Sequence, residues 1–160
     1  MKTIEIISDS VERTFETGKR IGSLLEGGEV VCLVGALGSG KTTLIKGIAA
    51  GAGAAKPEII NSPTFVIVNE YKGRPASTAK RGEFNIFHID AYRINTIAEF
   101  EALGFEEFIG PDSIVLIEWA DKVNQALEGL DCIHIEMRHN GEESRIIRLH
   151  GLKNARALKF

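Results

Sequence analysis

One segment constrains this chain more than any other. It is Gly35-Ala36-Leu37-Gly38-Ser39-Gly40-Lys41-Thr42, which matches the pattern G-x-x-x-x-G-K-[ST] and directly follows the apolar run Val30-Val31-Cys32-Leu33-Val34. The apolar run is typical of a buried strand, and the residues from Thr43 to Ala50 favour a helix. A strand, a glycine-rich turn and a helix in this order predict a phosphate-binding loop. A chance glycine-rich turn is the alternative, and the complete match in this context argues against it.

The pattern predicts a chemical role for each part of the segment. Glycines in the stretch from Gly38 to Gly40 let backbone N–H groups turn inward around a β-phosphate. Lys41 is expected to reach the β and γ oxygens, and the Thr42 hydroxyl to bind Mg²⁺. The helix that opens with Thr43 directs the positive end of its dipole at the same phosphate. The sequence therefore predicts binding of a nucleoside triphosphate with Mg²⁺.

Size and composition limit what else the chain can be. Its 160 residues predict a single domain over residues 1–160. No apolar run approaches the roughly 18 residues that a membrane span needs, and the stretch Met1–Ile6 does not resemble a secretion signal, so we expect a cytoplasmic protein without membrane contact. The net charge of −3 is unlike that of proteins that hold nucleic acid alone, so any RNA role needs a partner that grips the RNA.

The order of predicted elements indicates an α/β fold. A first strand and helix come before the phosphate-binding strand, and Ile114 to Ile117 is an apolar run typical of a central strand in a parallel sheet. Cys132 to Arg138 and Ser144 to His150 flank Asn140-Gly141, which favours a tight hairpin turn. Thr96 and Glu99 form a capping box that opens a helix. We therefore predict a P-loop NTPase-type three-layer fold with a mainly parallel central sheet and a C-terminal antiparallel hairpin.

One polar loop and two cysteines complete the predicted organisation of the chain. The polar stretch from Lys72 to Glu83 contains glycine and proline and predicts an exposed hairpin loop. Cys32 and Cys132 lie in separate apolar runs without the spacing of a metal site. They are interpreted as reduced core residues.

Two acidic residues follow predicted strands. Asp90 comes after Phe84 to Ile89, and Glu118 comes after Ile114 to Ile117. Ligands of α/β folds sit beyond the carboxyl ends of strands, where an acidic side chain can bind Mg²⁺ or orient an attacking water. A solvated strand end is the alternative for each residue. Because the strand before Glu118 is the more hydrophobic, we assign Glu118 to Mg²⁺.

Further candidates carry weaker signals. Thr64, within Ser62-Pro63-Thr64-Phe65, follows the phosphate-binding helix where many P-loop proteins have a switch segment, although a plain turn fits equally well. Trp119 is either a stacking residue at the nucleotide or part of the core. His88 is interpreted as structural. Arg93 either stabilises the charge that develops on a transferred phosphate or forms a surface salt bridge. Arg145, in the C-terminal hairpin, is a further candidate for contact with the nucleotide.

Taken together, four ordered motifs resemble one family. They are Gly-Ala-Leu-Gly-Ser-Gly-Lys-Thr-Thr at 35–43, Ser-Pro-Thr-Phe at 62–65, His-Ile-Asp-Ala-Tyr-Arg at 88–93 and Ile-Glu-Trp at 117–119. They are similar to those of the bacterial TsaE (YjeE) family, the ATPases of tRNA threonylcarbamoyladenosine biosynthesis. The likeness extends from Thr14 to Arg145.

The resemblance implies a function and a set of site residues. It implies that the chain binds ATP and Mg²⁺ and hydrolyses ATP in a complex with the TsaB and TsaD proteins. We expect slow hydrolysis by the chain alone, because a P-loop protein often receives its final charge-stabilising or water-positioning group from a partner. TsaD would transfer the threonylcarbamoyl group to the adenosine beside the anticodon, so this chain would meet tRNA only through the complex. Lys41, Asp90 and Glu118 are the expected catalytic residues, and Thr42 with Glu118 the expected metal ligands. The expected nucleotide-binding residues are Thr14, Gly38, Ser39, Gly40, Lys41, Thr42, Thr43, Thr64, Asp90, Trp119 and Arg145.

Three other functions remain open at this point. A small-molecule kinase would need an arginine-rich lid, at which only Arg74, Lys80 and Arg81 hint. A GTPase switch would carry Asn-Lys-x-Asp and Asp-x-x-Gly, and neither occurs in the sequence. A structural subunit with a degenerate nucleotide site conflicts with the intact Lys41 and Thr42.

Overall fold

The chain folds around one mixed β-sheet with helices on both faces. The computed structural model describes residues 3–60, 67–74 and 82–158. In chain order its strands and α-helices are β1 (Ile4–Ser8), α1 (Val11–Gly22), β2 (Val30–Gly35), α2 (Lys41–Gly51), β3 (Val68–Gly73), β4 (Phe84–Asp90), α3 (Ile97–Glu101), β5 (Ser113–Glu118), α4 (Asn124–Leu127), β6 (Cys132–His139) and β7 (Arg145–His150). Short 3₁₀ turns lie at Pro57–Ile59, Phe105–Phe108, Ala120–Val123 and Ala155–Ala157.

The strand order is β1-β7-β6-β2-β5-β4-β3. The three central pairings, β6 with β2, β2 with β5 and β5 with β4, are parallel. The outer pairings are antiparallel, including the predicted β6–β7 hairpin. The predicted fold class is confirmed. The first strand was predicted from the sequence, but its antiparallel pairing with β7 along one edge of the sheet was not.

Side-chain alternation on the central strand divides the core into two layers. Val31 and Leu33 of β2 pack against α1 and α2, together with Leu44 and Ile48. Val30 and Cys32 face the opposite layer, which the segments between β4 and β6 cover with residues such as Phe100. Successive residues of a strand point to opposite faces, so a strand buried on both sides is apolar throughout. β2 and β5 both have this character, which the apolar run of β5 predicted.

Helices α1 and α2 approach each other unusually closely. A Cβ on Gly47 would lie 2.2 Å from the Phe15 carbonyl oxygen, and one on Gly18 would lie 2.3 Å from the Leu44 carbonyl oxygen. Glycine at these positions lets the two backbones touch, at a cost in helix propensity of about 1 kcal/mol for each residue. The crossing holds the N-terminal part of α1 beside the start of α2.

The sequence signals for helix starts and turns predicted where these features lie, but not always their length. The Thr96 hydroxyl accepts from Glu99 N–H and opens α3 as the capping box predicted, but α3 ends after Glu101. Strands β3 and β4 pair as a hairpin around the predicted loop, of which residues 75–81 lie outside the described part of the chain. The predicted tight Asn140-Gly141 turn is longer, because β6 extends to His139 and the loop closes by a bond from Asn140 N–H to the Ser144 carbonyl.

The described helices also bear on membrane contact. None of the helices in the described ranges is both long enough and apolar enough to cross a bilayer.

Candidate nucleotide site

The loop between β2 and α2 has the backbone shape that phosphate binding requires. Gly38 and Gly40 have φ angles of 73° and 97°, in the left-handed region that favours glycine. Gly40 is the N-cap of α2 and gives no side-chain hydrogen bond to the first helical turn. The first turn of α2 therefore has no side-chain cap, and the helix dipole favours negative charge there.

Lys41 is folded back onto this loop. Its Nζ donates to the carbonyl oxygens of Gly35 at 2.7 Å and Ala36 at 2.9 Å, and it lies 4.1 Å from the centroid of the Trp119 ring. Burial lowers the pKa of Lys41, while the nearby charges of Glu118 and Asp90 act in the opposite direction. The ammonium group thus lies in a partly desolvated position beside two carboxylates, where added negative charge from a phosphate would stabilise it further.

Thr42 and Glu118 meet although they are far apart in sequence. The Thr42 hydroxyl donates to Oε1 of Glu118 at 3.3 Å. Thr42 lies in the first turn of α2, and Glu118 is the last residue of β5. A hydroxyl and a carboxylate oxygen are the ligand types that Mg²⁺ uses, and this ion commonly takes one or two protein oxygens with phosphates and water. Within the described residues no group of three or more histidine, cysteine or acidic side chains could hold a metal by itself. The pair thus fits Mg²⁺ held jointly with a nucleotide.

Asp90 is brought to the same edge by strand register. It pairs directly with Glu118 across the parallel β4–β5 ladder. Its Oδ1 accepts from the Tyr92 N–H at 3.0 Å. Burial raises the pKa of Asp90, an effect that the Tyr92 hydrogen bond opposes and the neighbouring Glu118 charge reinforces. A carboxylate with a raised pKa beside a phosphate-binding loop is a candidate for orienting a water molecule or accepting a proton.

Most of the predicted site residues line one cavity of about 340 Å³. It opens at the carboxyl ends of β4 and β5, in front of α2. Its lining consists of Leu37, Gly38, Gly40, Lys41, Thr42, Thr43, Asp90, Tyr92, Glu118 and Trp119. The last of these is the only described residue other than glycine with a positive φ, at 57°. This left-handed backbone turns the Trp119 ring toward Lys41, so the tryptophan is part of the site.

A second, smaller cavity adjoins the first. It has a volume of about 50 Å³ and shares Gly40 and Thr43 with the larger one. Its other lining residues are Ser10, Val11, Thr14, Glu143 and Arg145. Thr14 and Arg145, which the sequence analysis placed near the nucleotide, thus meet on the other side of the phosphate-binding loop. Thr14 is buried, and its Oγ1 lies 2.7 Å from the Ser8 Oγ.

Some predicted residues are not part of this arrangement, and some contributors were missed. Thr64 lies outside the described residues. Arg93 is exposed and does not line either cavity. Tyr92 was missed as a lining residue: its ring centroid lies 4.9 Å from that of Trp119, and its only signal was its position two residues after Asp90.

His88 is another residue to which the sequence analysis assigned no functional role. It is fully buried, and its Nε2 lies 3.0 Å from Oε2 of Glu118. The periodicity of a strand could have indicated its position. Residues two apart on a strand share a face, and His88 precedes Asp90 by two residues on β4. The contact makes this histidine part of the surroundings of the proposed metal ligand.

Comparisons with known proteins show which family this chain resembles. Residues 8–147 match a family model described as threonylcarbamoyl adenosine biosynthesis protein TsaE. The tRNA threonylcarbamoyladenosine biosynthesis protein TsaE of Aquifex aeolicus is 38% identical over 118 residues, which are 74% of this chain and 77% of the relative. The protein of the same name from Bacillus subtilis is 32% identical and the match covers 96% of this chain and 89% of the relative.

The fold agrees as well. The crystal structure of Bacillus subtilis YdiB matches with a TM-score of 0.69 and 27% identity, over 96% of this chain and 88% of that one. The family match spans β2, α2, β4 and β5, the elements that build the larger cavity. The chain therefore belongs to the TsaE family, whose named members are tRNA threonylcarbamoyladenosine biosynthesis proteins.

Proposed function

We propose that this protein binds ATP with Mg²⁺ and hydrolyses it in support of a TsaB–TsaD complex that modifies tRNA. One observation carries the proposal: Lys41, Thr42, Asp90 and Glu118 line a single cavity in front of the phosphate-binding loop. This set contains the positive charge, the two metal-ligand oxygens and the additional carboxylate that phosphoryl transfer to water uses. The relatives' names supply the pathway.

Each residue has a defined part in the proposed reaction. The loop N–H groups and Lys41 hold the β- and γ-phosphates, and Thr42 with Glu118 holds Mg²⁺. Mg²⁺, when bound, would supply positive charge that offsets the charge of the phosphate oxygens. Asp90 orients the water whose oxygen forms the new bond to the γ-phosphorus while the bond from that phosphorus to the bridging oxygen breaks. The bridging oxygen leaves on ADP, the proton lost by the water passes to solvent, and phosphate is released. Thr14 and Arg145 contact the nucleotide from the smaller cavity.

The protein is proposed to be slow alone and faster in its complex. P-loop proteins often receive their final charge-stabilising or water-positioning group from a partner. Neither cavity has a described arginine lining except Arg145, which donates to the carbonyls of Glu142 and Ser144. A site in the cytoplasm, with tRNA held by the partners, is part of the same proposal.

The deciding experiment is multiple-turnover threonylcarbamoylation of tRNA by purified TsaB and TsaD. The reaction is run without this protein, with the wild type, with Lys41→Ala and with Lys46→Ala, a lysine of α2 outside both cavities. We expect stimulation by the wild type and Lys46→Ala only. If a preparation that hydrolyses ATP gave no stimulation, the assignment to this pathway would be wrong. The protein would then be a P-loop ATPase of another pathway or a small-molecule kinase.

A further inference from the structure

The buried imidazole of His88 has one partnered and one unpartnered nitrogen. Its Nε2 lies 3.0 Å from Oε2 of Glu118, while Nδ1 has no hydrogen-bond partner among the described residues. An N–H at Nδ1 would be a buried donor without an acceptor, which costs free energy. The tautomer that leaves only a lone pair at Nδ1, and donates from Nε2 to the carboxylate, avoids this cost.

The two oxygens of Glu118 thus have different partners. Oε2 is turned inward to His88, and Oε1 accepts from Thr42 at the cavity. The residue is only 2% exposed, so its carboxylate depends on protein groups rather than bulk water for orientation. If the carboxylate rotated about its own axis, Oε1 would no longer be held toward the metal position.

From this geometry we infer that His88 is a positioning residue, which clamps Oε2 of Glu118 so that Oε1 is presented to Mg²⁺. The inference rests on the proposed function, because it assigns Glu118 to the metal. His88 is not expected to touch the nucleotide, because it is fully buried behind Glu118 and does not line either cavity. Hydrogen-bonding partners of metal ligands commonly alter metal affinity by about 10- to 100-fold when they are removed.

Two variants of equal length separate this role from simple packing. His88→Met fills similar space without a donor, whereas His88→Gln carries an amide N–H the same number of bonds from the backbone as Nε2. The matched control is His134→Gln, an exposed histidine on β6. ATP affinity is measured by calorimetry in EDTA and across a Mg²⁺ titration, together with the Mg²⁺ dependence of ATP hydrolysis.

We expect His88→Met to raise the half-saturating Mg²⁺ concentration by about 10-fold or more. ATP affinity in EDTA should stay within about twofold of wild type, and His88→Gln should recover most of the lost Mg²⁺ affinity. Unchanged Mg²⁺ dependence in a folded His88→Met protein, or equal loss in EDTA and Mg²⁺, would overturn the inference. Wild-type protein that binds no ATP would overturn the proposed function as well, which distinguishes the two failures.

A measurement on the wild type covers the case in which His88→Met does not fold. Long-range ¹H–¹⁵N NMR of the histidine rings, assigned with His88→Gln, reports which nitrogen carries the proton. Protonated Nε2 with unprotonated Nδ1 is the expected result. A ring protonated at Nδ1 alone could not donate to Glu118 and would refute the clamp.

Discussion

At the scale of single residues, Lys41 is the positive charge that is proposed to bind the β- and γ-phosphates. Its ammonium group lies on the loop carbonyls and the Trp119 face, and burial lowers its pKa. We expect Lys41→Ala to reduce ATP turnover by at least ~100-fold, the usual consequence of losing one group that stabilises developing charge. Turnover is measured as phosphate release, with Lys46→Ala as the control. An active Lys41→Ala enzyme would show that another group carries this charge.

Asp90, which is proposed to orient the attacking water, illustrates how burial of a carboxyl group lowers the stability of the folded protein. Burial raises the pKa of Asp90 above the ordinary value of 3.8. The folded protein therefore favours the protonated form of this carboxyl group more than the unfolded chain does. The stability associated with this group is therefore fully present below the ordinary pKa and is lost as the pH rises through the raised one. Above the raised pKa the side chain is ionised in both states, and its partly buried charge then destabilises the fold.

Asp90→Asn should separate stability from activity. The amide oxygen can still accept from Tyr92 N–H, while the buried charge is removed. We expect a melting temperature above that of wild type at pH 7 and ATP turnover reduced by ~100-fold. The difference in melting temperature should narrow as the pH falls through the raised pKa of Asp90 and be smallest below the ordinary value of 3.8. Thermal unfolding across this pH range and phosphate release provide the test. A lower melting temperature at pH 7 would mean that the carboxylate stabilises the fold.

At the scale of elements, the contact between α1 and α2 connects the two cavities. α1 carries Thr14 to the smaller cavity, and α2 carries Thr42 to the larger one. Their spacing depends on glycine, because a Cβ at Gly47 would lie 2.2 Å from the Phe15 carbonyl oxygen, a backbone atom that cannot rotate away. The position of Thr14 relative to the phosphate-binding loop is thus set by a helix crossing outside the motif itself.

Substitution at this crossing should destabilise the protein despite a better helix former. Gly47→Ala gains about 1 kcal/mol of helix propensity but forces the helices apart, and overpacking typically costs about 1 to 3 kcal/mol. We expect a net loss of stability in urea unfolding. Gly82→Ala is the control, since a Cβ there meets no atom within 4 Å. Equal stability of the two variants would show that the crossing adjusts freely.

At the scale of the whole molecule, the sheet centre is the most protected region. Cys32 lies on β2, the middle strand, and is 1% exposed. Burial raises the pKa of this thiol, and the neighbouring Cys132 acts in the same direction. A thiol that is both buried and protonated is a poor nucleophile. Its reaction with an alkylating reagent requires the sheet to open.

Alkylation of Cys32 should therefore report global unfolding. We expect its labelling by iodoacetamide in native protein to be at least ~1000-fold slower than in urea, in line with the small unfolded population of a stable domain. Mass spectrometry of the Cys32 peptide follows the reaction over time. Fast labelling of protein that retains its native circular dichroism would reveal local opening of the central strand.

The parts predicted accurately from sequence depend on neighbouring residues. Gly38 and Gly40 permit left-handed backbone, and Lys41 and Thr42 follow within the same turn, so the loop geometry is encoded in one contiguous segment. The apolar run of β5 predicted burial on both faces for a similarly local reason. Thr96 and Glu99 marked a helix start but not its length, because packing rather than capping decides where a short helix ends.

The sequence by itself determined the phosphate-binding loop, the α/β class and the identity of the acidic residues at strand ends. Only the tertiary structure decided which of them meet: Thr42 reaches Glu118, His88 lies behind it, and Thr14 faces Arg145 across a cavity. Periodicity specifies the face on which a side chain lies, but strand order and register specify its neighbour. Those depend on hydrogen bonds and packing between distant segments, which no local pattern contains.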